Sequence, residues 1–320
     1  MTVLVTGGAG FIGSHVVEEL VRQGESVIVY DNFSTGFRRH LESWLESGRL
    51  QIVEGDILDL PTLTRAMEGV STVFHLAANA DVRGGIANRD ADVQQNIMGT
   101  HRVLEAMKAA GVGQIVFTSS ATVYGEPDRF PTPEDHPLVQ TSLYGASKLA
   151  AEAMIQAYGE YFQIRSYCFR FVSWIGERYS HGVVYDFVNK LRGNPKELEI
   201  LGDGLQKKSY LHVSDGIRGV FMALERIKGL KNILNLGHVE CVSVSEVARI
   251  VCEEMGLADV QFRFTGGQRG WLGDSPLVEL DISRMQRVGF QPRISIEEGI
   301  RRTTRYLLEN QWLLDSRGER

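Results

Sequence analysis

A glycine-rich turn between a short apolar run and an amphipathic helix most limits what this chain can fold into. Thr2–Thr6 predicts a buried strand, and Phe11–Arg22 carries its apolar residues at helical spacing. Glycines at positions 7, 10 and 13 lie between or at the start of these segments, so the backbone can turn tightly there and a ligand can approach it closely. The start of a helix also attracts phosphate groups. The run therefore predicts a turn that binds a pyrophosphate.

The strands and helices that follow alternate regularly. A second strand, Ser26–Tyr30, ends at Asp31 and completes a strand–helix–strand unit. An acidic residue at this strand end accepts hydrogen bonds from the ribose hydroxyls of adenosine and repels a 2′-phosphate, which favours NAD over NADP. Further segments continue the pattern: strands Leu50–Glu54, Thr72–Leu76, Gln114–Thr118 and Arg165–Arg170, and helix Asp90–Ala110. They predict an α/β fold with a Rossmann-type, doubly wound parallel sheet and chemistry at the carboxyl ends of its strands.

A tyrosine and a lysine stand four residues apart in Tyr144-Gly-Ala-Ser-Lys148, so they share one face of a helix. A free phenol has a pKa near ~10. Because a neighbouring ammonium favours the phenolate, we expect Lys148 to lower the pKa of Tyr144 towards neutrality. Ser120 follows the strand Gln114–Thr118 and therefore lies at the catalytic edge of the sheet. This pattern is typical of a proton-transfer site.

Composition excludes several kinds of partner. A net charge of -6 over 320 residues gives no basic surface, so we expect no nucleic acid or anionic membrane partner. No apolar run approaches the ~18 residues of a membrane span, and we expect a cytoplasmic protein without an export signal. Cys168, Cys241 and Cys252 are scattered and lack metal-binding spacing. We expect them to be reduced packing residues and expect no metal site.

The alternation loosens after residue 170. The sequence predicts a Rossmann domain over residues 1–170 and a smaller α/β substrate lobe over residues 171–320, between which the chain can cross more than once. Arg317–Arg320 is expected to be a frayed tail. The predicted elements of the second lobe are the helices Gly182–Arg192, Ser243–Met255 and Ile296–Asn310 and the strands Leu198–Leu201, Ser209–Val213 and Asn232–Leu236.

Five motifs carry a resemblance to a known family. TGGAGFIGSH at 6–15, DN at 31–32, HLAA at 75–78, SSATVYG at 119–125 and YGASK at 144–148 resemble the extended short-chain dehydrogenase/reductase family. Within it they look most like nucleotide-sugar 4-epimerases of the UDP-galactose 4-epimerase type, which include UDP-N-acetylglucosamine 4-epimerases. The resemblance implies a reversible inversion at carbon 4 of a UDP-hexose through a transient 4-keto sugar, with NAD held tightly. It also implies a homodimer in which the helices Asp90–Ala110 and Ser142–Phe162 form a four-helix bundle.

The resemblance also implies roles for individual residues. Tyr144 is the expected catalytic base, Lys148 is its electrostatic partner and also binds the nicotinamide ribose, and Ser120 helps to pass the proton of the sugar 4-hydroxyl. The small residues after the strand Thr72–Leu76 leave room for a flat cofactor against the backbone. The expected NAD contacts are Gly7, Gly10, Phe11, Ile12, Gly13, Asp31, Asn32, Asp56, Ile57, Leu76, Ala77, Ala78, Asn96, Ser119, Tyr144, Lys148 and Phe171.

The expected substrate contacts depart in part from the family pattern. Lys208 can neutralise a phosphate, but as a point charge without the bidentate fork of an arginine. Arg269 resembles the arginine that clamps the diphosphate, and Asp274 is expected on the uridine ribose. Val278 is small at a position that controls room beside the sugar 2-substituent, so we expect UDP-GlcNAc to be accepted. The full expected set is Ser120, Thr122, Tyr144, Ser173, Val183, Glu199, Leu201, Lys208, Arg269, Asp274 and Val278.

Two other functions remain open from the sequence. Ala121 and Thr122 stand where dehydratases of the family carry an acid after the Ser/Thr, which disfavours elimination. A reductase or dehydrogenase of a nucleotide-linked sugar would use the same residues but consume added NAD(P)H, whereas an epimerase needs none. A catalytically silent NAD-sensing protein is disfavoured, because Ser120, Tyr144 and Lys148 are all present.

Overall fold

The first strand, turn and helix form where the sequence predicts them. The computed structural model describes residues 1–315, so the predicted tail Arg317–Arg320 lies outside the described residues. Strand β1 spans Thr2–Thr6, helix α1 spans Phe11–Arg22 and strand β2 spans Ser26–Asp31. Helix α1 buries the apolar stripe that predicted it, which fixes the glycine turn against the sheet.

The remaining elements alternate in the first half and shorten in the second. The strands are β3 Leu50–Glu54, β4 Thr72–His75, β5 Gln114–Ser120, β6 Arg165–Phe171, β7 Ser173–Ile175, β8 Glu197–Ile200, β9 Lys207–Lys208, β10 Tyr210–His212, β11 Lys231–Leu236, β12 Val242–Ser243, β13 Gln261–Phe264 and β14 Leu277–Val278. The helices are α2 Glu42–Leu45, α3 Leu60–Ala66, α4 Arg89–Ala91, α5 Gly99–Ala110, α6 Leu143–Phe162, α7 Val183–Gly193, α8 Val213–Arg226, α9 Val244–Glu254, α10 Ser283–Arg287, α11 Ile296–Glu309 and α12 Trp312–Asp315.

Seven strands form one central sheet in the order β11–β6–β5–β4–β1–β2–β3. The pairs β1–β2, β1–β4, β2–β3 and β4–β5 are parallel. The order reverses between β1 and β4, and ligands of doubly wound sheets bind at such a switch point, outside the carboxyl ends of the strands. The predicted Rossmann-type fold is therefore confirmed.

One apolar core joins the sheet to helices α3, α5 and α6. Leu4 and Ile115 contribute from the sheet, Leu63 from α3 and Leu104 from α5, and each is fully buried. Each such side chain stabilises the fold by about 2 kcal/mol through apolar burial. Ile155 of α6 also lies in this core, so it packs within the subunit and is not available for the helix bundle of a dimer.

The predicted helix Asp90–Ala110 is not continuous. It consists of the short α4, a π-helical turn over Asp92–Met98 and then α5. The sequence does not predict this turn, because a π-helical turn has no residue preference as plain as that of a glycine turn or a helix cap. π-helical turns occur frequently at functional sites, and this one carries Asn96, a predicted cofactor contact.

The chain divides into two compact units built from separate segments. The first contains residues 1–125, 138–170 and 220–234, and the second contains residues 126–137 and 171–219 and the chain from 235 onward. The boundary predicted at residue 170 is one of several points at which the chain passes from one unit to the other. The second unit contains short strand pairs, β8–β13 and β7–β10, and a three-stranded sheet in the order β12–β9–β14.

Candidate active site

The glycine turn after β1 is too tight for side chains at two positions. Gly7 has φ +69°, and a Cβ there would lie 2.7 Å from the backbone nitrogen of Ala77. A Cβ on Gly13 would lie 2.1 Å from the carbonyl oxygen of Gly7. The turn therefore brings bare backbone together at the start of α1, where the N–H groups of the first helical turn lack intrahelical partners and attract anions.

Asp31 ends β2 beside this turn. Its Oδ2 accepts a hydrogen bond from the Ala9 backbone N–H at 2.9 Å, and its Oδ1 accepts from that of Phe33 at 2.8 Å. Burial raises the pKa of the carboxyl, and the two backbone donors act against that rise. Since each carboxylate oxygen has a second lone pair, Asp31 can still accept from ribose hydroxyls.

The next strand end adds a second carboxylate. Asn32 donates from Nδ2 to Oδ2 of Asp56 at 3.0 Å, and Oδ1 of Asp56 accepts from the Leu58 backbone at 2.9 Å. Ile57, between Asp56 and Leu58 in the sequence, is buried. The structure thus brings together the predicted adenosine-side residues Asp31, Asn32 and Asp56.

Polar contacts fix the strand end after β4. The backbone N–H groups of Leu76 and Ala77 both donate to Oγ1 of Thr6 at 3.2 Å. Oδ1 of Asn96 accepts from the Asn79 backbone at 2.8 Å. His75 lies in the interior, where burial and the nearby positive charge of Lys148 lower its pKa to about 3. It is a neutral packing residue at ordinary pH.

Ser120, Tyr144 and Lys148 come together at the carboxyl end of β5. The Ser120 hydroxyl lies close enough to Tyr144 to lower its pKa, and the hydroxyl of Thr122 donates to Ser120 Oγ at 2.9 Å. Tyr144 lies in the first turn of α6. The Ser142 side chain caps this helix by accepting a hydrogen bond from the Gly145 N–H at 3.0 Å. One turn later, the buried Lys148 donates from Nζ to the carbonyl oxygen of Thr118 at 3.0 Å.

The expected lowering of the Tyr144 pKa is wrong for this structure. Burial, together with the negative charge of Asp92, raises the pKa of Tyr144 to about 12, although the hydrogen bond with Ser120 lowers it. Burial is the main cause, and the Lys148 ammonium does not offset it: Nζ lies 5.8 Å from the centre of the Tyr144 ring and is held by Thr118. Burial also lowers the pKa of Lys148 to about 8.

A buried ion pair that the sequence did not single out lies one turn further along α6. Glu152 accepts two hydrogen bonds from Arg170, at 3.1 and 2.8 Å, and one from the hydroxyl of Ser119. Arg170 also donates to the hydroxyl of Tyr124 at 2.9 Å. The repeat of four from Tyr144 to Lys148 to Glu152 was the available signal. The pair ties the end of β6 to the helix that carries the base.

In the second unit, the expected diphosphate ligands already contact carboxylates. Arg269 donates to both carboxylate oxygens of Glu126, at 2.7 and 2.6 Å. Lys208 Nζ lies 2.5 Å from Oδ1 of Asp274 and 4.6 Å from the centre of the Trp271 ring. A phosphate group would therefore exchange with these carboxylates rather than meet bare cations.

The other expected substrate residues of this unit are dispersed over its elements. Val278 pairs with Lys208 across β14 and β9. Val183 begins α7, whose preceding residue Gly182 has φ +105°. Ser173 begins β7 and is exposed, whereas Phe171, an expected cofactor contact, is buried and packs its ring 4.1 Å from that of Trp174.

The main-chain carbonyls of Glu199 and Leu201, two expected substrate contacts, already accept hydrogen bonds. Glu199 lies in β8, which pairs in parallel with β13, and its carbonyl oxygen accepts from Lys190 Nζ at 3.0 Å. Leu201 lies just beyond the strand, and its carbonyl accepts from Gln206 at 3.3 Å. Within residues 1–315, no cluster of His, Cys, Asp or Glu has the arrangement of a metal site, and no helix has the length and apolar content to span a bilayer.

Comparisons with known proteins agree with this geometry. Residues 3–237 match the model of the NAD dependent epimerase/dehydratase family. The UDP-glucose 4-epimerase of Mycolicibacterium smegmatis is 32% identical over 313 residues, covering 96% of this chain and 98% of that one. The crystal structure of the Thermotoga maritima UDP-glucose 4-epimerase with UDP-glucose has 31% identity and a TM-score of 0.87, covering 97% of this chain and 100% of that one. The Bacillus cereus UDP-glucuronic acid 4-epimerase, in complex with UDP-glucuronic acid and NAD, has 27% identity and a TM-score of 0.89, covering 97% and 99%.

Proposed function

Because this chain belongs to the NAD-dependent epimerase/dehydratase family, we propose that it reversibly inverts carbon 4 of a UDP-hexose through a transient 4-keto sugar. The observation that carries the proposal is that Ser120, Tyr144 and Lys148 come together at the carboxyl end of β5, where Lys148, one helical turn after Tyr144, donates to the carbonyl of Thr118. UDP-glucose and UDP-galactose are the proposed substrate pair, since relatives across nearly the whole chain are UDP-glucose 4-epimerases.

The residues around the glycine turn fit NAD. The backbone approach at Gly7 and Gly13 leaves a cradle that a Cβ would fill, directly at the start of α1. Asp31 offers carboxylate lone pairs to the adenosine ribose and would repel a 2′-phosphate. When bound, NAD would take the hydride from carbon 4 and return it to the opposite face of the sugar.

The side chains supply the proton transfer. Tyr144 accepts the proton of the 4-hydroxyl, and Ser120, whose hydroxyl lies close enough to Tyr144 to lower its pKa, passes it. Lys148 stabilises the phenolate by its charge. Since burial holds the pKa of Tyr144 at about 12 in the chain alone, the base depends on added positive charge in the loaded site.

The residues after Ser120 support redox chemistry at carbon 4 over elimination. Ala121 and Thr122 lie in the short 3₁₀ turn Ala121–Tyr124, and neither can protonate a leaving hydroxyl as a carboxylic acid would. Arg170 occupies the hydroxyl of Tyr124 with a hydrogen bond. The turn therefore offers hydroxyl groups but no general acid of low pKa.

The second unit is proposed to hold the UDP group. Arg269 and Lys208 would bind the diphosphate in exchange for Glu126 and Asp274, and the released Asp274 would accept from the uridine ribose. The small side chain of Val278 supports our proposal that UDP-GlcNAc and UDP-GalNAc are also converted.

We also propose a cytoplasmic homodimer. Helix α6 exposes Ala153, Tyr161 and Phe162, of which Tyr161 is 75% exposed, and such side chains suit a helix bundle between two copies. Because Ile155 is buried in the subunit core, it is not part of the proposed bundle.

Incubation of the purified protein with UDP-glucose or UDP-GlcNAc, without added cofactor, tests the function. We expect conversion of both to their carbon-4 epimers, resolved by chromatography. If turnover required added NADH and the product had a changed oxidation state, the protein would be a reductase. Conversion of UDP-glucose but not UDP-GlcNAc would refute only the role given to Val278.

A further inference from the structure

A buried carboxylate beside the catalytic helix has no part in the chemistry derived so far. Asp92 begins the π-helical turn and is 1% exposed. Its Oδ1 accepts from the side-chain amides of Asn79 at 3.0 Å and Asn96 at 3.2 Å. Its Oδ2 is buried without a hydrogen-bond partner among the described residues and lies 3.3 Å from the place a Cβ on Gly85 would take. A buried carboxylate oxygen without a hydrogen-bond partner costs free energy. Such a group calls for a functional explanation.

Hydrogen bonds connect Asp92 to the backbone of the base. The Asn96 amide that Asp92 orients also donates to Ser147 Oγ at 2.9 Å. Ser147 in turn donates to the carbonyl oxygen of Tyr144 at 2.7 Å. These contacts run from the π-helical turn into the first turn of α6, so the position of Asp92 bears on the position of Tyr144.

The charged and titratable groups facing Asp92 come from two elements. Tyr144 and Lys148 face it from α6, and Asp81 faces it from the loop after β4. Burial lowers the pKa of Lys148, and the negative charges of Asp92 and then Glu152 raise it. Asp92 is thus a nearby anion acting on both catalytic side chains of the helix.

We propose that Asp92 is a positioning residue that fixes Asn96 and the first turn of α6 and supplies the negative charge that keeps Lys148 an ammonium. Its catalytic consequence depends on the proposed function. The same charge opposes ionisation of Tyr144 until positive charge enters the site, so Asp92 restrains the base in the chain alone. It touches neither the sugar nor the dinucleotide in this role.

The test is Asp92→Asn, which keeps the oxygen that accepts from Asn79 and Asn96 but removes the charge. In the pH profile of kcat/KM of the NAD-bound protein, where added positive charge lowers the pKa of Tyr144, we expect ionisation of Tyr144 to set the acidic limb and loss of the Lys148 proton to set the alkaline limb. Removal of a nearby anion lowers both pKa values, so we expect both limbs to move to lower pH by about 1 unit. An unchanged profile with a reduced amplitude would mean a merely structural role and overturn the proposal.

A second measurement does not need turnover. The phenolate of Tyr144 is titrated in the NAD-bound protein by ultraviolet difference spectra, with the corresponding Tyr144→Phe protein as the blank. We expect its midpoint to fall by about 1 unit in Asp92→Asn. If the wild type converts no nucleotide sugar but this midpoint still falls, the proposed function fails and the role of Asp92 stands; an unmoved midpoint overturns that role.

Matched variants complete the design. Asp92→Glu keeps the charge and should keep both midpoints, so a shift as large as that of Asp92→Asn would contradict the proposal. Asp90→Asn changes an exposed acid two residues earlier and should change neither profile nor titration. If Asp92→Asn does not fold, Asp92→Ser serves in its place, because its hydroxyl can still accept from the two amides.

Discussion

At Tyr144 the surroundings oppose the ionisation that its reaction needs. Burial raises the pKa to about 12, and Ser120 provides the hydrogen bond that lowers it. The ammonium of Lys148 lies 5.8 Å from the centre of the ring and is held by the carbonyl of Thr118, so it does not offset the effect of burial. The base is therefore weak in the chain alone and depends on what binds beside it.

Replacement of Tyr144 by Phe removes the hydroxyl while leaving the ring in place. We expect turnover of UDP-glucose to fall by about 10² to 10⁴, the usual contribution of a positioned acid–base group. The NAD content of the purified protein should be unchanged, since the glycine turn and Asp31 are intact.

The control is Tyr161→Phe, which removes the hydroxyl of an exposed tyrosine on the same helix. This variant should keep the turnover of the wild type. Retention of wild-type turnover by Tyr144→Phe would remove Tyr144 from the mechanism.

Spacing along the chain revealed only part of this site. Tyr144 and Lys148 were predictable because helix geometry places residues four apart on one face. Glu126 was not, because its partner Arg269 lies 143 residues away in the sequence. Asp92 was not, because a carboxylate is normally solvated and its burial cannot be seen in the sequence. The sequence also indicated the wrong direction for the shift of the Tyr144 pKa, because a motif does not show how deeply its residues are buried.

Among the elements, the glycine turn is the most constrained. Its prediction rested on residue type alone, and the structure gives the reason: at Gly13 a Cβ would overlap the carbonyl oxygen of Gly7. The predicted bounds of β1, α1 and β3 agree with those observed, because buried strands and a strongly amphipathic helix leave clear patterns.

Gly13→Ala should therefore displace the turn. We expect the protein to bind NAD about 5- to 150-fold more weakly, since overpacking of this kind costs about 1–3 kcal/mol. The NAD released on denaturation of each purified protein measures the effect.

Gly113→Ala is the matched control, because a Cβ there meets no atom within 4 Å. Equal NAD content in both variants would contradict the role of the turn.

The short elements of the second unit were much less predictable. Strands β9, β12 and β14 have two residues each, and two residues carry no alternation that could mark a strand. Likewise, the π-helical turn interrupts a segment whose composition predicts one helix. In both places tertiary contacts decide the local structure.

At the scale of the whole molecule, a single boundary in the sequence does not describe the two units, because each unit is built from separate segments of the chain. Residues 126–137 and 220–234 each belong to a unit different from that of their neighbours in the sequence. Only contacts distant in the sequence define these assignments. Buried polar contacts between distant segments are equally hard to predict from the sequence. The hydrogen bonds of His75 with Thr6 and Thr100 are examples.

Global stability should fall in acid because of His75. Its folded pKa of about 3 lies below the ordinary value of 6.5, so the unfolded chain takes up the proton first as pH falls. The contribution is present above the unfolded pKa and is lost on acidification towards the folded one. Between about pH 7 and about pH 4 we expect the free energy of unfolding to drop by on the order of 3 kcal/mol from this residue.

His75→Gln should lose less of its unfolding free energy over that interval, measured by urea denaturation at both pH values. The control is His101→Gln, which changes a histidine outside the buried strand end. An identical loss in wild type and His75→Gln would show that other groups dominate acid unfolding.

The two backbone hydrogen bonds of Asp31 have a consequence for how the protein would behave in a cell. They hold the carboxylate and the loop around it in the shape that a ribose requires, so little chain order has to be created when the dinucleotide arrives. A preorganised binding site of this kind favours a long residence time of the bound dinucleotide. NAD would then act as a resident prosthetic group, and sugar inversion would proceed independently of the surrounding balance of oxidised and reduced nicotinamide.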